Sequence, residues 1–452
     1  MPSREPVVAV HQFDTPTGRQ AVERVLAALA LTPRKLLAES GKRAEQEQAV
    51  RRILNDVVER GDAAVVDASR AFDDPAFTAD RLVVTAAETA AAFGRVELDV
   101  RNALLYAVGQ QVDYQQQIAP ESLDIGCTEG GKKLGIRFTP VDTTGCYFPG
   151  GKAAYPSSLI HLTVPAKVAG VRRVAAATPP SKYGASDLVL AAAHAISEAV
   201  GPVELYRAGG AAAIAALALG TQSIPAVDLI VGPGNDYVQI AKRLLSGAVG
   251  VDGYLGPSEV VVIADETADA ALVAADLIAQ AEHDPGSCFL LTTSAALAEG
   301  VAAELARQLE ERGRAEAILR ALANDSAVIV LPDLEAVIEL ADRFAGEHVN
   351  ITTADDEAVL AKLRHAGAVF LGRHSPVAAG DYVAGPSHCL PTNTTARFTS
   401  GVSVYTFLKR TSVVRYTQEG IEADAPYTAT LAEAEGLDAH AASALLRTSR
   451  TR

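Results

Sequence analysis

The sequence predicts an α/β protein in which helices cover parallel β-sheets. From about Val171 onwards, short apolar runs typical of strands alternate with patterns typical of helices, and this alternation indicates parallel strands joined by crossover helices. With 452 residues the chain exceeds the size of one ordinary hydrophobic core, so two or three domains are expected. Its content of 49% hydrophobic and 21% charged residues is that of a globular enzyme.

Strands and helices follow one another regularly in the alternating region. The predicted strands are Val171–Thr178, Val203–Ala208, Val227–Gly232, Glu259–Ala264, Cys288–Thr293, Ala327–Leu331, His348–Thr352 and Ala368–Leu371. The predicted helices are Ala185–Val200, Ala211–Leu219, Tyr237–Ser246, Ala268–Glu282, Ala295–Leu322, Leu334–Ala345 and Asp355–His365. These strands fit one large sheet, two smaller sheets divided near Gly256, or a barrel, which the irregular segment lengths disfavour.

The flanking regions have a different pattern. Residues before about Gly109 are predicted to be mostly helical, two short strands follow from Lys133, and the last fifty residues are predicted to be helical. The segments are helices Arg43–Glu59 and Ala86–Gly109, strands Leu134–Thr139 and Val141–Phe148, and helices Ser403–Lys409 and Ala423–Arg447. No internal repeat of fixed period is visible in the sequence.

Charge and cysteine usage exclude several classes of protein. The formal net charge is −15 and no block of Lys or Arg is present, so nucleic acid and anionic membranes are not expected as partners. We find no apolar run long enough to span a bilayer and no signal-peptide pattern, which predicts a cytoplasmic protein. The cysteines, which are expected to be free thiols because they form no CxxC pair, are Cys127, Cys146, Cys288 and Cys389.

The stretch QAEHDPG, residues 280–286, is the first candidate for a metal site. Gln280 and His283 are three residues apart near the end of a predicted helix, so both side chains lie on one face. An amide oxygen and an imidazole nitrogen are both ligands for zinc, although a lone His at a helix end is more often a capping residue. Asp381, in a loop rich in Gly and Pro, is a possible third ligand.

Other polar residues lie where predicted strands meet loops, which is where ligands gather in α/β folds. Ser258 precedes an apolar strand, and the adjacent Glu347 and His348 could act as an acid–base pair at a helix–strand junction. Two glycine-rich turns, Gly209–Ala212 and Gly232–Asn235, lead into helices and could meet a pyrophosphate. Each of these glycine runs is equally compatible with an ordinary loop.

Six segments taken together resemble the histidinol dehydrogenase family. In order they are GCYFPGGKAAYPSS, GPGNDYVQIAKR, GPSEVVVIAD, QAEHDP, the stretch from EHVN through GAVFLG to GDYVAGPSHCLPT, and AEAEGLDAH. They extend from about Lys133 to His440, which is most of the chain. The resemblance implies a zinc-dependent, NAD-linked, four-electron oxidation of L-histidinol to L-histidine through L-histidinal, with one zinc ion per subunit and two NAD+ per turnover.

The resemblance also implies an architecture and a homodimer with a shared active site. The expected fold has two Rossmann-like αβ domains with parallel-rich sheets, helical N- and C-terminal segments, and a domain-swapped arrangement of subunits. The expected boundaries are 1–45 for the N-terminal helical segment, 46–145 with 260–402 for the first domain, 146–259 for the dinucleotide-binding domain, and 403–452 for the C-terminal segment that reaches the partner.

Roles for individual residues follow from the resemblance, position by position. Glu347 and His348 match the catalytic pair. The residues that match metal ligands are Gln280, His283, Asp381 and, from the partner subunit, His440. The residues that match substrate contacts are Ser258, Gln280, His283, His348, Asp381, His388, Glu435 and His440. The positions that match dinucleotide contacts are Tyr147, Ala212 and Asn235, where Ala212 stands in place of the family's glutamine and should cost one hydrogen bond.

Two other interpretations remain open at this stage. A relative on the same scaffold could oxidise another small alcohol, such as a sulfonated diol, but the carboxylate of Glu435 suits the amine of histidinol and would repel a sulfonate. A metal- or nucleotide-binding protein without activity would be expected to lack Glu347 or His348, and both are present. Cys389, next to His388, is a further candidate nucleophile to which the resemblance gives no role.

Overall fold

The computed structural model describes residues 7–37, 40–127, 130–151, 153–283 and 286–448. Within these residues the strands are β1 (Ala9–Gln12), β2 (Val83–Val84), β3 (Leu123–Cys127), β4 (Lys132–Pro140), β5 (Thr143–Tyr147), β6 (Arg173–Thr178), β7 (Glu204–Arg207), β8 (Leu229–Val231), β9 (Gly250–Val251), β10 (Ser258–Ala264), β11 (Gly286–Thr292), β12 (Ala327–Val330), β13 (His348–Thr352), β14 (Ala368–Leu371) and β15 (Leu408–Tyr416). The α-helices are α1 (Pro16–Leu29), α2 (Pro33–Leu36), α3 (Lys42–Arg60), α4 (Asp62–Phe72), α5 (Ala86–Arg95), α6 (Leu98–Ile118), α7 (Pro156–Val168), α8 (Asp187–Val200), α9 (Gly210–Leu219), α10 (Asp236–Leu245), α11 (Ala270–Ala281), α12 (Ala295–Leu309), α13 (Ala315–Asn324), α14 (Leu334–Phe344), α15 (Asp356–Leu360), α16 (Val377–Tyr382), α17 (Gln418–Ala434) and α18 (Asp438–Leu445).

Two open sheets form the centre of the molecule. The first sheet has the order β1-β12-β11-β10-β13-β14 and all of its strands are parallel. The second sheet has the order β2-β7-β6-β5-β8-β9, with only β2 antiparallel among the described strands. The predicted α/β class with parallel-rich sheets is therefore confirmed, and the division near Gly256 falls between the two sheets.

Both sheets are buried on both faces, as the apolar strands require. Along β10, Val260 and Val262 pack into one core cluster, whereas Val261 and Ile263 pack into another, because successive side chains of a strand point to opposite faces. Helices α11 to α13 cover one face of the first sheet, and α1, α14 and α15 cover the other. Helices α3, α4, α9 and α10 cover one face of the second sheet, and α5 to α8 cover the opposite face.

This packing differs from the predicted domain boundaries. Helices α3 to α6, which lie within residues 42–118, pack on the second sheet and not on the sheet formed by residues 258–371. The grouping of residues 46–145 with 260–402 as one domain remains a prediction. The N-terminal segment also contributes a strand, β1, which pairs with β12 at the edge of the first sheet, although the sequence there was expected to be helical.

The C-terminal region contains a third, small sheet. Strand β15 pairs antiparallel with β4, which pairs with β3, so the prediction of a helix over Ser403–Lys409 is wrong. A short 3₁₀ turn, Val404–Phe407, precedes the strand, and the β-branched residues of β15 favour the extended pairing with β4. The predicted helices Ala295–Leu322 and Ala423–Arg447 are each divided in two, the latter at Gly436, where φ is +76°.

Two further predictions concern membranes and thiols. Among the described residues, no helix combines the length and the apolar character needed to cross a membrane. Cys146, Cys288 and Cys389 are free and buried, as predicted, while the side chain of Cys127 lies outside the described part of the structure. Burial raises the pKa of the Cys389 thiol, so that it remains protonated and is a poor nucleophile.

Candidate active site

The start of strands β10 and β13 brings together a serine, a glutamate and a histidine. These parallel strands are neighbours, with Val260 paired to His348, so Ser258 at the start of β10 lies beside the residues that begin β13. The hydroxyl of Ser258 donates to Oε2 of Glu347 at 2.5 Å. The backbone N–H of Glu259 donates to the same oxygen at 2.9 Å, so one carboxyl oxygen of Glu347 is held by two donors.

Glu347 is a buried carboxyl group with a high proton affinity. Only 6% of the residue is exposed, and burial raises its pKa well above the ordinary value. The two hydrogen bonds that Glu347 accepts oppose this shift, whereas the nearby carboxylates of Glu259 and Asp381 add to it. A carboxyl group in this environment holds a proton more tightly than an exposed glutamate and is a candidate for proton transfer.

His348 is held in one tautomer by its surroundings. Its Nδ1 lies 3.3 Å from the backbone carbonyl oxygen of Glu259, and because a carbonyl only accepts, Nδ1 carries the proton. Its Nε2 lies 3.6 Å from a carboxyl oxygen of Asp381 and makes no hydrogen bond among the described residues. Burial lowers the pKa of His348 to about 4, so the imidazole is neutral at pH 7 and its Nε2 lone pair is available to take a proton.

Two further histidines, His161 and His388, connect helix α7 to the loop after α16. The Nδ1–H of His388 donates to the backbone carbonyl of Asp381 at 3.0 Å, which leaves Nε2 to accept from Ser158 at 2.9 Å. The backbone N–H of His388 donates to Nδ1 of His161 at 2.9 Å, and the two rings lie 4.4 Å apart. Since Ser158 and His161 belong to α7, these contacts connect the helices of the second sheet to the loop after α16.

Of the three metal ligands predicted from this chain, Asp381 and His283 lie near His348 and His388. Gln280 is 3% exposed, and its side-chain Nε2 has no hydrogen-bond partner among the described residues. Nδ1 of His283 lies 3.2 Å from the carbonyl oxygen of Gln280, and His283 is close enough to lower the pKa of both His348 and His388. Asp284 and Pro285, which complete the QAEHDPG stretch, lie outside the described residues.

The residue types of this predicted set suit zinc. An imidazole nitrogen, a carboxylate oxygen and an amide oxygen are borderline and hard donors of the kind that zinc accepts. The described residues contain no group of three or more His, Cys, Asp or Glu side chains arranged to hold a metal ion. A metal at Gln280, His283 and Asp381 would therefore need a further ligand from elsewhere.

Glu435 and His440 are not brought to this centre by their own chain. Glu435 ends α17 and His440 lies in α18, and both are exposed. Neither side chain makes a hydrogen bond or ion pair within the described residues. The two helices pack on each other through a small cluster of alanines, Ala429, Ala432 and Ala441, which leaves the side chains of both predicted site residues on the surface.

The predicted dinucleotide residues lie at the carboxyl edge of the second sheet. Tyr147 ends β5, and its hydroxyl accepts from the backbone N–H of Gly210 at 3.1 Å. Asn235 caps α10, where its side chain accepts from the N–H of Val238 at 3.2 Å. Ala212 is buried in the first turn of α9. The chain order reverses between β5 and β8, and such a reversal is where open α/β sheets bind their ligands.

Glycines at this edge allow a ligand to approach the protein backbone closely. A Cβ on Gly232, where φ is +122°, would lie 1.8 Å from the carbonyl oxygen of Tyr147, and one on Gly209 would lie 2.8 Å from a carboxyl oxygen of Asp73. Only glycine fits these turns. The arrangement of glycines, helix N-termini and Tyr147 fits a dinucleotide at this edge.

Sequence reasoning missed four polar residues of the two sites: Ser158, His161, Glu259 and Asp73. His161 could have been noticed as the one imidazole in the apolar helix LIHLTVP, and Glu259 as the one charge at the start of the apolar strand SEVVVIA. Glu259 is 1% exposed, and burial raises its pKa to about 8. Ser158 and Asp73 carry no sequence signal of this kind.

Two doubly wound sheets, one of which carries a buried histidine–carboxyl pair at its amino edge, are typical of α/β enzymes. The chain belongs to the histidinol dehydrogenase family, whose model matches residues 37–448. It is 46% identical to histidinol dehydrogenase from Synechococcus sp. over 405 residues, which cover 89% of this chain and 92% of that protein. It is 44% identical to the enzyme from Rhizobium meliloti over 426 residues, or 94% and 96% of the two chains.

Solved structures agree with this assignment. The crystal structure of histidinol dehydrogenase from Elizabethkingia anophelis matches with a TM-score of 0.89 at 31% identity and covers 98% of both chains. An acetylating aldehyde dehydrogenase from Geobacillus thermoglucosidasius matches with a TM-score of 0.50 at 17% identity over 88% of this chain and 97% of that one, which is a likeness of fold alone. The predicted family is confirmed, and the chain is an NAD-dependent oxidoreductase that oxidises histidinol in histidine biosynthesis.

Proposed function

We propose that the chain oxidises L-histidinol to L-histidine in two steps through L-histidinal, with one zinc ion per subunit and two NAD+ per turnover. The observation that carries this proposal is the geometry of His348. Its Nδ1 proton is fixed by the carbonyl of Glu259, and its free Nε2 faces Asp381 beside the buried carboxyl of Glu347. A neutral base and a separate proton-holding carboxyl group are what two successive oxidations of one carbon require.

His348 is the base of both oxidations. In the first, Nε2 takes the proton of the substrate hydroxyl, and in the second it takes a proton from the hydrated aldehyde. Bound NAD+ supplies the redox chemistry by accepting one hydride in each oxidation. Because the ring is buried and neutral, it can accept the first proton directly, and Asp381 stabilises the imidazolium that results. The imidazolium then returns this proton to the aldehyde oxygen as water adds, so Nε2 is free again for the second oxidation.

Glu347 acts between the two oxidations. Its carboxylate form removes a proton from the water that adds to the aldehyde carbon, and this step supplies the oxygen atom that the carboxylic acid needs. Its raised pKa makes it a stronger base than an exposed glutamate. Ser258 and the N–H of Glu259 fix one oxygen of the carboxyl group, which leaves the other oxygen to meet the water.

Substrate and metal binding are assigned to the residues around this pair. Gln280, His283, Asp381 and the partner subunit's His440 would hold the zinc ion, and a bound zinc ion would orient the imidazole and amine of histidinol. Ser258, His388 and Glu435 would contact the substrate, where the carboxylate of Glu435 suits the amine. Tyr147 and Asn235 would contact NAD+.

The position of the C-terminal helices supports the proposal of a homodimer with a shared site. Glu435 and His440 are exposed and lie apart from the centre formed by Gln280, His283 and Asp381 in the same chain. A symmetric exchange of α17 and α18 between two subunits would bring each His440 to the other subunit's centre. The separation of His440 from the other three predicted ligands within one chain is the feature that supports this arrangement.

The proposal is tested by the ratio of NADH formed to substrate consumed. Purified protein is incubated with L-histidinol and NAD+, and NADH is counted per histidinol used, with a sulfonated diol as the control substrate. We expect two NADH per histidinol, loss of activity on chelation and recovery with zinc, and no NADH from the diol. One NADH per histidinol, or full activity in the chelated protein, would contradict the proposal.

A further inference from the structure

The two sheets share one strand order but place their functional residues at opposite edges. In the second sheet the order reverses between β5 and β8, and Tyr147 and Asn235 lie at the carboxyl edge of this reversal. In the first sheet the order reverses between β10 and β13, yet Ser258 and His348 lie at the amino ends of these strands. The carboxyl edge of the first reversal, where α/β sheets ordinarily bind a ligand, has no assigned role.

A cleft of about 340 Å³ lies at this unused edge. We call it the carboxyl-edge cleft, and it is formed by the residues that follow β10, β13 and β14. The polar residues that line it include Thr267, Asp269, Thr353, Asp356, Arg373 and His374. A volume of this size admits a small molecule and falls near the lower limit for ligand sites.

Two carboxylates that line the cleft are held in place by local hydrogen bonds. Oδ1 of Asp356 accepts from the N–H of Thr353 at 2.6 Å and from its hydroxyl at 3.0 Å. Oδ1 of Asp269 accepts from the N–H of Ala271 at 2.9 Å, where Asp269 caps α11. In each case the bonds engage one carboxyl oxygen, so the other oxygen of the group is available to a ligand.

Two basic side chains complete the lining and have no partner in the described part of the chain. Arg373 and His374 follow Gly372 after β14, and both residues are exposed. Neither makes a hydrogen bond or an ion pair with any described residue. Gly372, which precedes them, has a φ of +79°, and a Cβ there would lie 3.2 Å from Oδ2 of Asp356. The backbone turn therefore keeps space open beside this carboxylate.

The charges of the cleft exclude a second dinucleotide. At the carboxyl edge of the second sheet α9 begins at a glycine turn with no carboxylate in its first turn, whereas α11 begins with the carboxylate of Asp269 and β10 is followed by Asp265 and Glu266. These negative groups would repel a pyrophosphate. A ligand that presents an ammonium group to carboxylates and a carboxylate to a guanidinium matches the lining on both sides.

We propose that the carboxyl-edge cleft binds a free α-amino acid. The ammonium group lies against Asp269 and Asp356, and the carboxylate is bound by Arg373, with His374 beside it. L-Histidine is the probe of choice because the family acts in histidine biosynthesis. Binding in the cleft needs none of the catalytic or metal-binding residues, so its outcome is independent of the function proposed above.

The test is a calorimetric titration of the zinc-loaded enzyme with L-histidine in the absence of NAD+. We expect two independent sites per subunit, of which one weakens at least about 10-fold in Arg373→Ala and in Asp356→Asn, since each change removes one charge-assisted bond. Arg364→Ala, at an exposed arginine away from the cleft, is the matched control and should retain both sites. Rates of histidinol oxidation without added histidine should be unchanged in all three variants, which shows that they are folded.

Histamine, which lacks the carboxylate, should not bind in the cleft of the unchanged protein. A single L-histidine site per subunit that persists in Arg373→Ala and Asp356→Asn overturns the proposal, whereas a single site that weakens in both variants is the cleft and speaks only against histidine binding at the active site. Two sites that both persist in Arg373→Ala and Asp356→Asn overturn it equally, because the second site would then lie elsewhere.

Discussion

The first and second sheets of this protein have the same strand order but carry their candidate functional residues at opposite edges. The second sheet presents glycine turns at its carboxyl edge, beside Tyr147 and Asn235. The first sheet presents buried Glu347 and His348 at its amino edge. The difference shows that strand order determines where crevices form, while the residues placed at each edge determine which chemistry the crevice performs.

The largest expected effect tests the amino edge of the first sheet. His348→Gln removes the base of both oxidations but keeps a polar side chain, so kcat should fall by about 10³-fold or more. NAD+ affinity should change little, since His348 lies away from Tyr147 at the other sheet. The measurement is kcat for histidinol together with NAD+ binding by calorimetry, and His365→Ala is the control. A loss below about 10-fold would mean that another group is the base.

The next prediction concerns the C-terminal helices, which are proposed to complete a partner's site. His440→Ala and Gln280→Ala chains should each be inactive alone. Mixed and reassembled in equal amounts, they should regain roughly a quarter of the activity, because half of the dimers are mixed and each mixed dimer has one intact site. Mixed dimers that form and remain inactive would refute the shared site.

A smaller effect is expected from Glu259, whose buried side chain lies at the amino edge of the first sheet. Its pKa is raised from 4.5 to about 8 in the folded protein. A carboxyl group whose folded pKa is raised contributes stability at low pH that is lost as the pH rises, here between about 4.5 and 8. Glu259→Gln has no such group, so its free energy of unfolding relative to the unchanged protein should increase by roughly 2 to 4 kcal/mol from pH 5 to pH 8.5.

Urea denaturation at several pH values measures this difference. Glu266→Gln, at an exposed carboxylate on the same segment, is the control and should give a difference that is nearly independent of pH. A pH-independent difference for Glu259→Gln as well would show that its carboxyl group is not buried as described.

The smallest effect tests the carboxyl edge of the second sheet. Ala212 stands where the family has a glutamine, so Ala212→Gln should add one hydrogen bond to NAD+, worth on the order of 1 kcal/mol. The Kd for NAD+ should fall about 5-fold, with kcat unchanged. Calorimetric titration measures the change, and Ala213→Gln, in the buried first turns of the same helix, distinguishes a specific bond from a general effect on α9. Weaker binding in Ala212→Gln would mean that the position has no room for the longer side chain.

Local patterns predicted much of the fold. Strands β13 and β14 have the predicted bounds, and helix α11 was expected from its apolar spacing and Pro285. Strand β15 was missed because its pairing with β4 joins residues that are far apart in the chain. The placement of α3 to α6 on the second sheet was missed for the same reason, since the sequence of an amphipathic helix does not specify which sheet it covers.

By itself, the sequence determined the alternation of strands and helices, the family, and the identity of Glu347, His348 and the residues that match the metal ligands. Only the tertiary structure decided that β10 and β13 are neighbours. This pairing places the carbonyl of Glu259 against Nδ1 of His348 and the hydroxyl of Ser258 against Glu347. The physical reason is that hydrogen bonds between parallel strands are set by the packing of helices on both faces, and no local pattern records which strands will meet.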